Sequence, residues 1–496
     1  MRSSGRGAEH ADLDHLDWAE DAPRRTRSDA DRRAAERRAG AGRTPARERR
    51  SSDRRSSERR SAADARSGAS AAERASRASA AQPARRSSAR RAKPSAMVLG
   101  PGVAERRALM LVTFLLVVYG LVMAYSASSA QAYFEHGSSF YFFGRQVVWV
   151  VLGVGTMFVL SRVDYAWFRK AAVPLAGLAL AGLVVVLVPG VGSVVNGARR
   201  WLILGGQGVQ PSEFAKLACV VLVSALIVNR PREVLTLKGF LRLAAICILP
   251  AAALIMREPD LGTTLVLVIA VVAVLVAGGA PLRYLFGLAA TGFFAVLALI
   301  AVEPYRLERL VTYFDPWKDA QNTGYQATQS LISIASGRLF GVGLGNSVQK
   351  FGFLPEQTTD MITGIIGEEL GLIGLLVLLT LYAALAWACF RIALSTKDLF
   401  GKLLATGITA IIIGQACINV GAALGLLPLT GVPLPLVSLG GTNMLVVLAG
   451  LGVMLNIATN RRSHIAVSVE RRRGESSPRR AAASGHSSRT SRPTGR

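Results

Sequence analysis

Between Ala108 and Asn456 the chain consists largely of apolar runs, each long enough to cross a hydrocarbon core of about 30 Å, which takes roughly 20 helical residues. Nothing comparable precedes Ala108. The runs fall at 108–126, 145–160, 171–188, 214–228, 241–256, 261–277, 282–302, 361–391, 403–426 and 436–457. Only 18% of the residues are charged and the mean hydropathy is +0.36. An aqueous globule could not hide so much apolar surface, so lipid must cover it. The expected fold class is an all-α polytopic membrane protein of about ten transmembrane helices. A large loop, 303–360, separates the seventh run from the eighth.

Positive side chains orient the helices, because loops that stay in the cytoplasm keep Lys and Arg. Arg162, Arg169 and Lys170, then Arg230, Arg232 and Lys238, then Arg391, Lys397 and Lys402 all fall on the side of the two tails. That side is expected to be cytoplasmic, which leaves 127–142, 189–212, 257–260, 303–360 and 427–435 on the outer face. The chain divides accordingly into a basic tail at 1–107, a transmembrane domain at 108–457 and a second basic tail at 458–496. Most of the net charge of +26 sits in the tails, which are rich in Arg, Ser and Ala and poor in aromatic residues. Such segments bury too little apolar surface to fold and are expected to be disordered. They are expected to lie near anionic headgroups rather than to bind nucleic acid, since no aromatic residues interleave the cations for stacking. The first stretch also lacks a signal-peptide core, so the first span is expected to direct insertion.

Cys219, Cys247, Cys389 and Cys417 lie within apolar runs, without short pairing or neighbouring His. They read as small core hydrophobes rather than as a disulfide or zinc set. No phosphate-binding glycine loop and no Ser-His-Asp spacing appears, which removes support for ATP-driven transport and for a hydrolase.

Four groups of polar residues break the apolar pattern. The first is Asn196-Gly-Ala-Arg199-Arg200-Trp201 followed by Gln210-Pro-Ser212-Glu213-Phe-Ala-Lys216. Pro211 and Ser212 make a good helix start, and Glu213 and Lys216 share one helical face. Trp201 reads equally as an interfacial anchor. An Arg pair on the outer face opposes the positive-inside bias and would suit a phosphate or pyrophosphate. The second group is Glu258-Pro-Asp260-Leu-Gly262, where Asp260 is expected to cap the next helix and Glu258 has no such simple explanation.

The third group is the long loop, with Arg306, Arg309, Asp315, Trp317, Asp319, Gln326, Lys350, Glu356 and Asp360. Its length and its interleaved aromatics suggest a functional, ordered segment in which the carboxylates Asp315, Asp319, Glu356 and Asp360 could converge. The fourth group is Glu368 and Glu369 inside an apolar run, Gln415 and Asn419 in the next, and the Pro-rich stretch from Pro428 to Ser438. Ionisable groups at membrane depth face a cavity or a partner, and irregular backbone there must be buried by protein.

The blocks NGARRWL, QPSEFAKL, EPDLGT, DPWKDAQNTGYQ, GLGNSVQKFGFLPE and IGEELG, with the segment 419–441, resemble the SEDS family across the membrane region, about 108–457. GLGNSVQK is more similar to the FtsW branch than to the RodA branch. The chain departs from the family pattern at Ala320, where a proline is usual, at Thr358, where a histidine is usual, and at Leu439 in the usual SYGG block. The resemblance implies polymerisation of lipid II into peptidoglycan glycan strands at the outer face of the cytoplasmic membrane, during division at the septum. It implies inverting glycosyl transfer with an undecaprenyl pyrophosphate leaving group and Asp319 as general base. Arg199, Arg200, Trp201, Glu213, Lys216, Asp315, Gln326, Glu356, Asp360, Glu369 and Ser438 are then expected to bind substrate. No cofactor is required, although a divalent cation, Mg or Mn, could assist the leaving pyrophosphate. The implied partners are a class B penicillin-binding protein and other division proteins. Two other readings stand beside this one: a lipid II flippase using the intramembrane polar residues, and a scaffold that recruits through its tails.

Overall fold

The computed structural model describes residues 103–195, 197–302 and 311–475. The tail residues 1–102 and 476–496, Asn196, and 303–310 with Arg306 and Arg309 lie outside the described residues. Helices dominate. In chain order they are α1 Val103–His136, α2 Tyr141–Leu160, the short α3 Ala166–Lys170, α4 Ala172–Leu187, α5 Pro211–Asn229, α6 Leu237–Arg257 and α7 Leu261–Ala277. After these come α8 Leu282–Val302, α9 Tyr325–Ser336, α10 Ile362–Ser395, α11 Leu399–Ala423 and α12 Gly441–Glu475. α1, α2, α5, α6, α10, α11 and the Gly441–Thr459 part of α12 are long and apolar enough to cross a membrane. α4, α7 and the Leu282–Phe294 part of α8 are shorter apolar helices. The protein is an integral membrane protein. α5, α11 and α12 form its buried interior, and α2 turns most of its surface outward.

Several boundaries follow from local chemistry. α5 begins at Pro211, whose fixed φ and missing N–H suit a first helical position. α7 begins after Asp260, whose side chain accepts from the Thr263 N–H as expected of a cap. α12 runs on to Glu475, past the expected end of the last span at Ile457.

One region adds strands to the expected helices. Residues 189–212, read as an outer loop, contain a three-stranded antiparallel sheet of β1 Gly192–Val195, β2 Ala198–Leu204 and β3 Gln207–Val209. Gly205 and Gly206 link β2 to β3 with φ of 56° and 74°. A two-residue hairpin of that kind needs positive φ at both positions, which glycine supplies without steric cost.

The second difference is a break in α10, expected as one uninterrupted run. Gly371 has φ 64° and ψ −161°, which interrupts the helix. Four hydrogen bonds cross the break to the preceding loop. Val342 and Gly343 N–H donate to the Glu368 and Glu369 carbonyls at 2.9 and 3.0 Å, and Leu372 and Ile373 N–H donate to the Arg338 and Leu339 carbonyls at 2.9 and 3.2 Å. A helix break inside an apolar run frees backbone groups that must find partners, and the loop supplies them.

Candidate active site

Arg200 reaches from β2 to the turn between α6 and α7. Its Nε and one Nη donate to the Glu258 and Pro259 carbonyls, both at 2.8 Å, and its other Nη stands 3.9 Å from the Asp260 carboxylate. The end of α6 leaves carbonyls without helical donors, and the guanidinium fork satisfies two neighbouring ones at once. Asp260 Oδ2 accepts from the Thr263 hydroxyl at 2.8 Å and from the Gln210 amide at 3.2 Å. Gln210 precedes α5, and its own N–H donates to Thr442 Oγ1 at 3.1 Å. The starts of α5, α7 and α12 therefore meet around one polar knot.

Asp360 joins this knot from the residue pair before α10. Its charged neighbours are Glu356, Asp260 and Arg200. Its carbonyl accepts from the Asn419 amide at 2.8 Å, and the same amide donates to the Val432 carbonyl at 2.8 Å. Burial, then Glu356 and Asp260, push the Asp360 carboxyl up to about 7 against the pull of Arg200. Glu258 is fully buried, and neither of its carboxylate oxygens has a hydrogen-bond partner among the described residues. Burial, then Asp260, raise it to about 8, with Arg200 acting the other way. One cation thus stands beside carboxyl groups that change charge near neutral pH. Such a patch can hold an anion through Arg200 or exchange a proton.

Deeper in the bundle, Lys216 and Glu213 form a buried ion pair at 2.8 Å, and Asn443 donates to the second Glu213 oxygen at 3.0 Å. A second buried pair pins the loop after α9. Lys350 lies 3.6 Å from Glu369, and the Ser126 hydroxyl of α1 reaches both Glu369 oxygens at 2.8 and 2.6 Å. Glu368 accepts from the Ser347 hydroxyl and from the Val348 N–H at 3.0 Å.

Asp319 sits in the turn that leads into α9. Its oxygens accept from the Thr323 N–H at 3.1 Å, the Thr323 hydroxyl at 2.9 Å and the Asn322 amide at 2.9 Å. These donors, the Thr323 N–H first, hold its carboxyl below the usual aspartate value. The group stays ionised and partly open to solvent.

The expected site residues therefore divide. Arg200, Glu356 and Asp360 come together. Arg199 does not join them, because successive strand residues point to opposite faces. Its guanidinium donates to the Leu187 carbonyl at the end of α4 at 3.4 Å, so the two arginines do not form a shared anion clamp. Trp201 packs over Gly208 of β3. Ser438 is buried, donates to the Thr359 carbonyl at 2.5 Å and accepts from the Leu434 N–H at 2.8 Å, tying the Pro-rich segment to the Asp360 strip. Gln326 lies half-buried in the first turn of α9 and Asp315 is exposed before it. The four loop carboxylates form two groups, Asp315 and Asp319 before α9 and Glu356 and Asp360 after it. Gln210, Thr442 and Lys350 were absent from the expected set. Gln210 carried a signal, its position immediately before the helix-starting Pro211.

No three carboxylate, imidazole or thiol groups among the described residues lie close enough to hold a metal ion unaided.

Comparisons with known proteins agree with the blocks found in the sequence. Residues 106–463 match the FtsW/RodA/SpoVE family model, described as cell cycle protein. A probable peptidoglycan glycosyltransferase FtsW of Thioalkalivibrio sulfidiphilus is 42% identical over 68% of this chain and 85% of its own length. The stage V sporulation protein E of Bacillus subtilis is 39% identical over 71% of this chain and 96% of its own length. The fold matches a solved chain of a peptidoglycan synthase complex that coordinates polymerization and crosslinking. The TM-score is 0.60 at 30% identity, over 71% of this chain and 97% of that one. The chain belongs to the FtsW/RodA/SpoVE family of cell cycle proteins.

Proposed function

We propose that the protein is a peptidoglycan glycosyltransferase that polymerises lipid II at the outer face of the cytoplasmic membrane during septal wall synthesis. The observation that carries this reading is the convergence of Arg200, Glu258, Asp260, Glu356 and Asp360 at one end of the bundle, in a chain several of whose relatives are named probable peptidoglycan glycosyltransferase FtsW. The acceptor 4-hydroxyl attacks the anomeric carbon of the donor, and the bond to the undecaprenyl pyrophosphate breaks on the opposite side. One displacement of an α-linked donor gives a β-linked product, so no enzyme nucleophile is needed. An alcohol near neutral pH needs its proton taken as the bond forms, and Asp319, kept ionised by Thr323 and Asn322, takes it. Arg200 faces the charge that grows on the leaving pyrophosphate. Every step is assigned to the chain's own side chains. A class B penicillin-binding protein supplies the crosslinking activity, other division proteins recruit the pair to the septum, and both termini face the cytoplasm.

The test is purified protein with lipid II in detergent, with and without that partner. Glycan chains are expected, and they distinguish polymerisation from transport because detergent offers no sealed bilayer to flip across. Unchanged lipid II under both conditions would remove the enzymatic reading.

A further inference from the structure

The loop that closes the break in α10 has an unusual distribution of polarity. Between Arg338 and Lys350 it contains no charged side chain, yet Leu339, Phe340, Val342, Leu344 and Val348 all point outward, Phe340 being 79% exposed. Several of its backbone donors turn inward, while the Asn346 side chain stays exposed. The N–H groups of Gly341, Val342, Gly343, Asn346 and Val348 all have acceptors, two of them α10 carbonyls and one the Glu368 carboxylate. Of the two cations that bound it, Arg338 is exposed, and Lys350 is 5% exposed and engaged by Glu369 and the Gly345 carbonyl. Irregular backbone in water usually does the reverse, solvating its amides and hiding its aromatic side chains.

Two ties between α1 and α10 fix where this loop stands relative to lipid. At one end Arg391 pairs with Glu105 at 3.6 Å, and at the other Ser126 bonds Glu369. The two ties are separated by about 21 residues along α1 and about 22 along α10, or roughly 32 Å of helix. That length matches the thickness of a hydrocarbon core, about 30 Å. The Ser126–Glu369 tie therefore marks a membrane boundary, and Leu339 to Gly343 are hydrogen-bonded to α10 on that level. Their apolar side chains continue the lipid-facing surface of α10, where Leu372, Ile373 and Leu376 are exposed.

We propose that residues 339–348 form a shallow interfacial loop that seats Leu339, Phe340, Val342 and Leu344 among the acyl chains of the leaflet at the Ser126–Glu369 end. Lipid is the occupant because the patch is continuous with a lipid-covered helix face, carries no outward charge between Leu339 and Val348, and has the N–H groups of Gly341, Val342, Gly343, Asn346 and Val348 satisfied from within. The anchor would hold the following strip, Glu356 to Asp360, at constant height over the bilayer.

The experiment uses the full chain with Cys417→Ala, since the other three cysteines are buried. A nitroxide label is placed by Phe340→Cys and, separately, by Leu344→Cys, both at exposed positions. The protein is reconstituted in phosphatidylethanolamine and phosphatidylglycerol vesicles, and power saturation compares collision with oxygen, which concentrates in lipid, and with a water-soluble nickel chelate. Oxygen accessibility is expected to exceed nickel accessibility severalfold at both sites, as at Leu376→Cys and opposite to Lys318→Cys. Greater nickel accessibility at both sites would put the loop in water, and low accessibility to both reagents would put it under protein. Either result overturns the proposal.

Discussion

Asp319 and Glu258 are both carboxyl groups near the same end of the bundle, and their surroundings drive them in opposite directions. Asp319 is partly open to solvent and ringed by donors, which favour the ionised form. Asp319→Ala and Asp319→Asn should each slow glycan synthesis from lipid II by about 10²–10⁴-fold, the usual worth of a positioned base, with binding to the partner intact. Synthesis at the wild-type rate by either variant would assign the base elsewhere. Glu258 has no donor and is raised from 4.5 to about 8. A carboxyl raised in the folded state binds its proton there but not in the unfolded chain, so its stabilising effect is complete below about 4.5 and is lost as pH rises through about 8. Across that window the slope is at most about 1.4 kcal/mol per pH unit. Thermal unfolding in detergent should show Tm falling between pH 6 and pH 8.5, and Glu258→Gln, which never loses a proton, should flatten the curve. Part of the slope will persist in the variant through Asp360, which is raised to about 7.

At the level of elements, the loop after α9 is joined to the bundle by a buried charge pair in addition to its backbone bonds to α10 and the buried Leu354. Removing one partner leaves the other charge in a dry site, whereas replacing both does not. Lys350→Met should therefore cost about 3–5 kcal/mol, and the double replacement with Glu369→Gln should recover most of it. A coupling energy near zero from chemical denaturation of the two single variants and the double variant would show that the pair does not act as a unit. Much of this level could be read in the sequence. Apolar runs gave the apolar helices, Pro211 and Asp260 gave helix starts, and the three-residue spacing of Glu213 and Lys216 gave their pairing. What escaped was decided by tertiary partners. Gly371 looks like any glycine in an apolar run until the Arg338 and Leu339 carbonyls are seen to bond the N–H groups that follow it. Arg199 and Arg200 look like a clamp until the strand between them turns one to α4 and the other to α6. The small sheet was legible in principle, since Gly205-Gly206 between β-branched and aromatic residues is a hairpin signal, but apolar loops among apolar helices mask it.

For the whole molecule the open quantity is the number of crossings, and its parity has a physical consequence. Among the described residues, seven helices are long and apolar enough on their own. Seven crossings would put the termini on opposite sides, and ten would put them on the same side. The contacts of the three shorter helices favour ten. Arg169, just before α4, donates to Asn229 at the end of α5 at 2.7 Å, and Gly182 near the far end of α4 packs on Pro211 at the start of α5. α4 is thus antiparallel to α5 and traverses the same slab. Asp260 before α7 bonds Gln210 before α5, while Gly278 after α7 packs on Ile227 near the end of α5, so α7 runs parallel to α5 through its full depth. α8 starts beside the start of α6, where Tyr284 meets Phe240, and its 21 residues extend about 32 Å. A fluorescent protein that matures only in the cytoplasm, fused to the N-terminus or to the C-terminus of the full chain, should therefore fluoresce in both fusions. Fluorescence in one fusion alone, with both expressed in the membrane, would require an odd number of crossings and would send at least one of α4, α7 and α8 back to the face it came from.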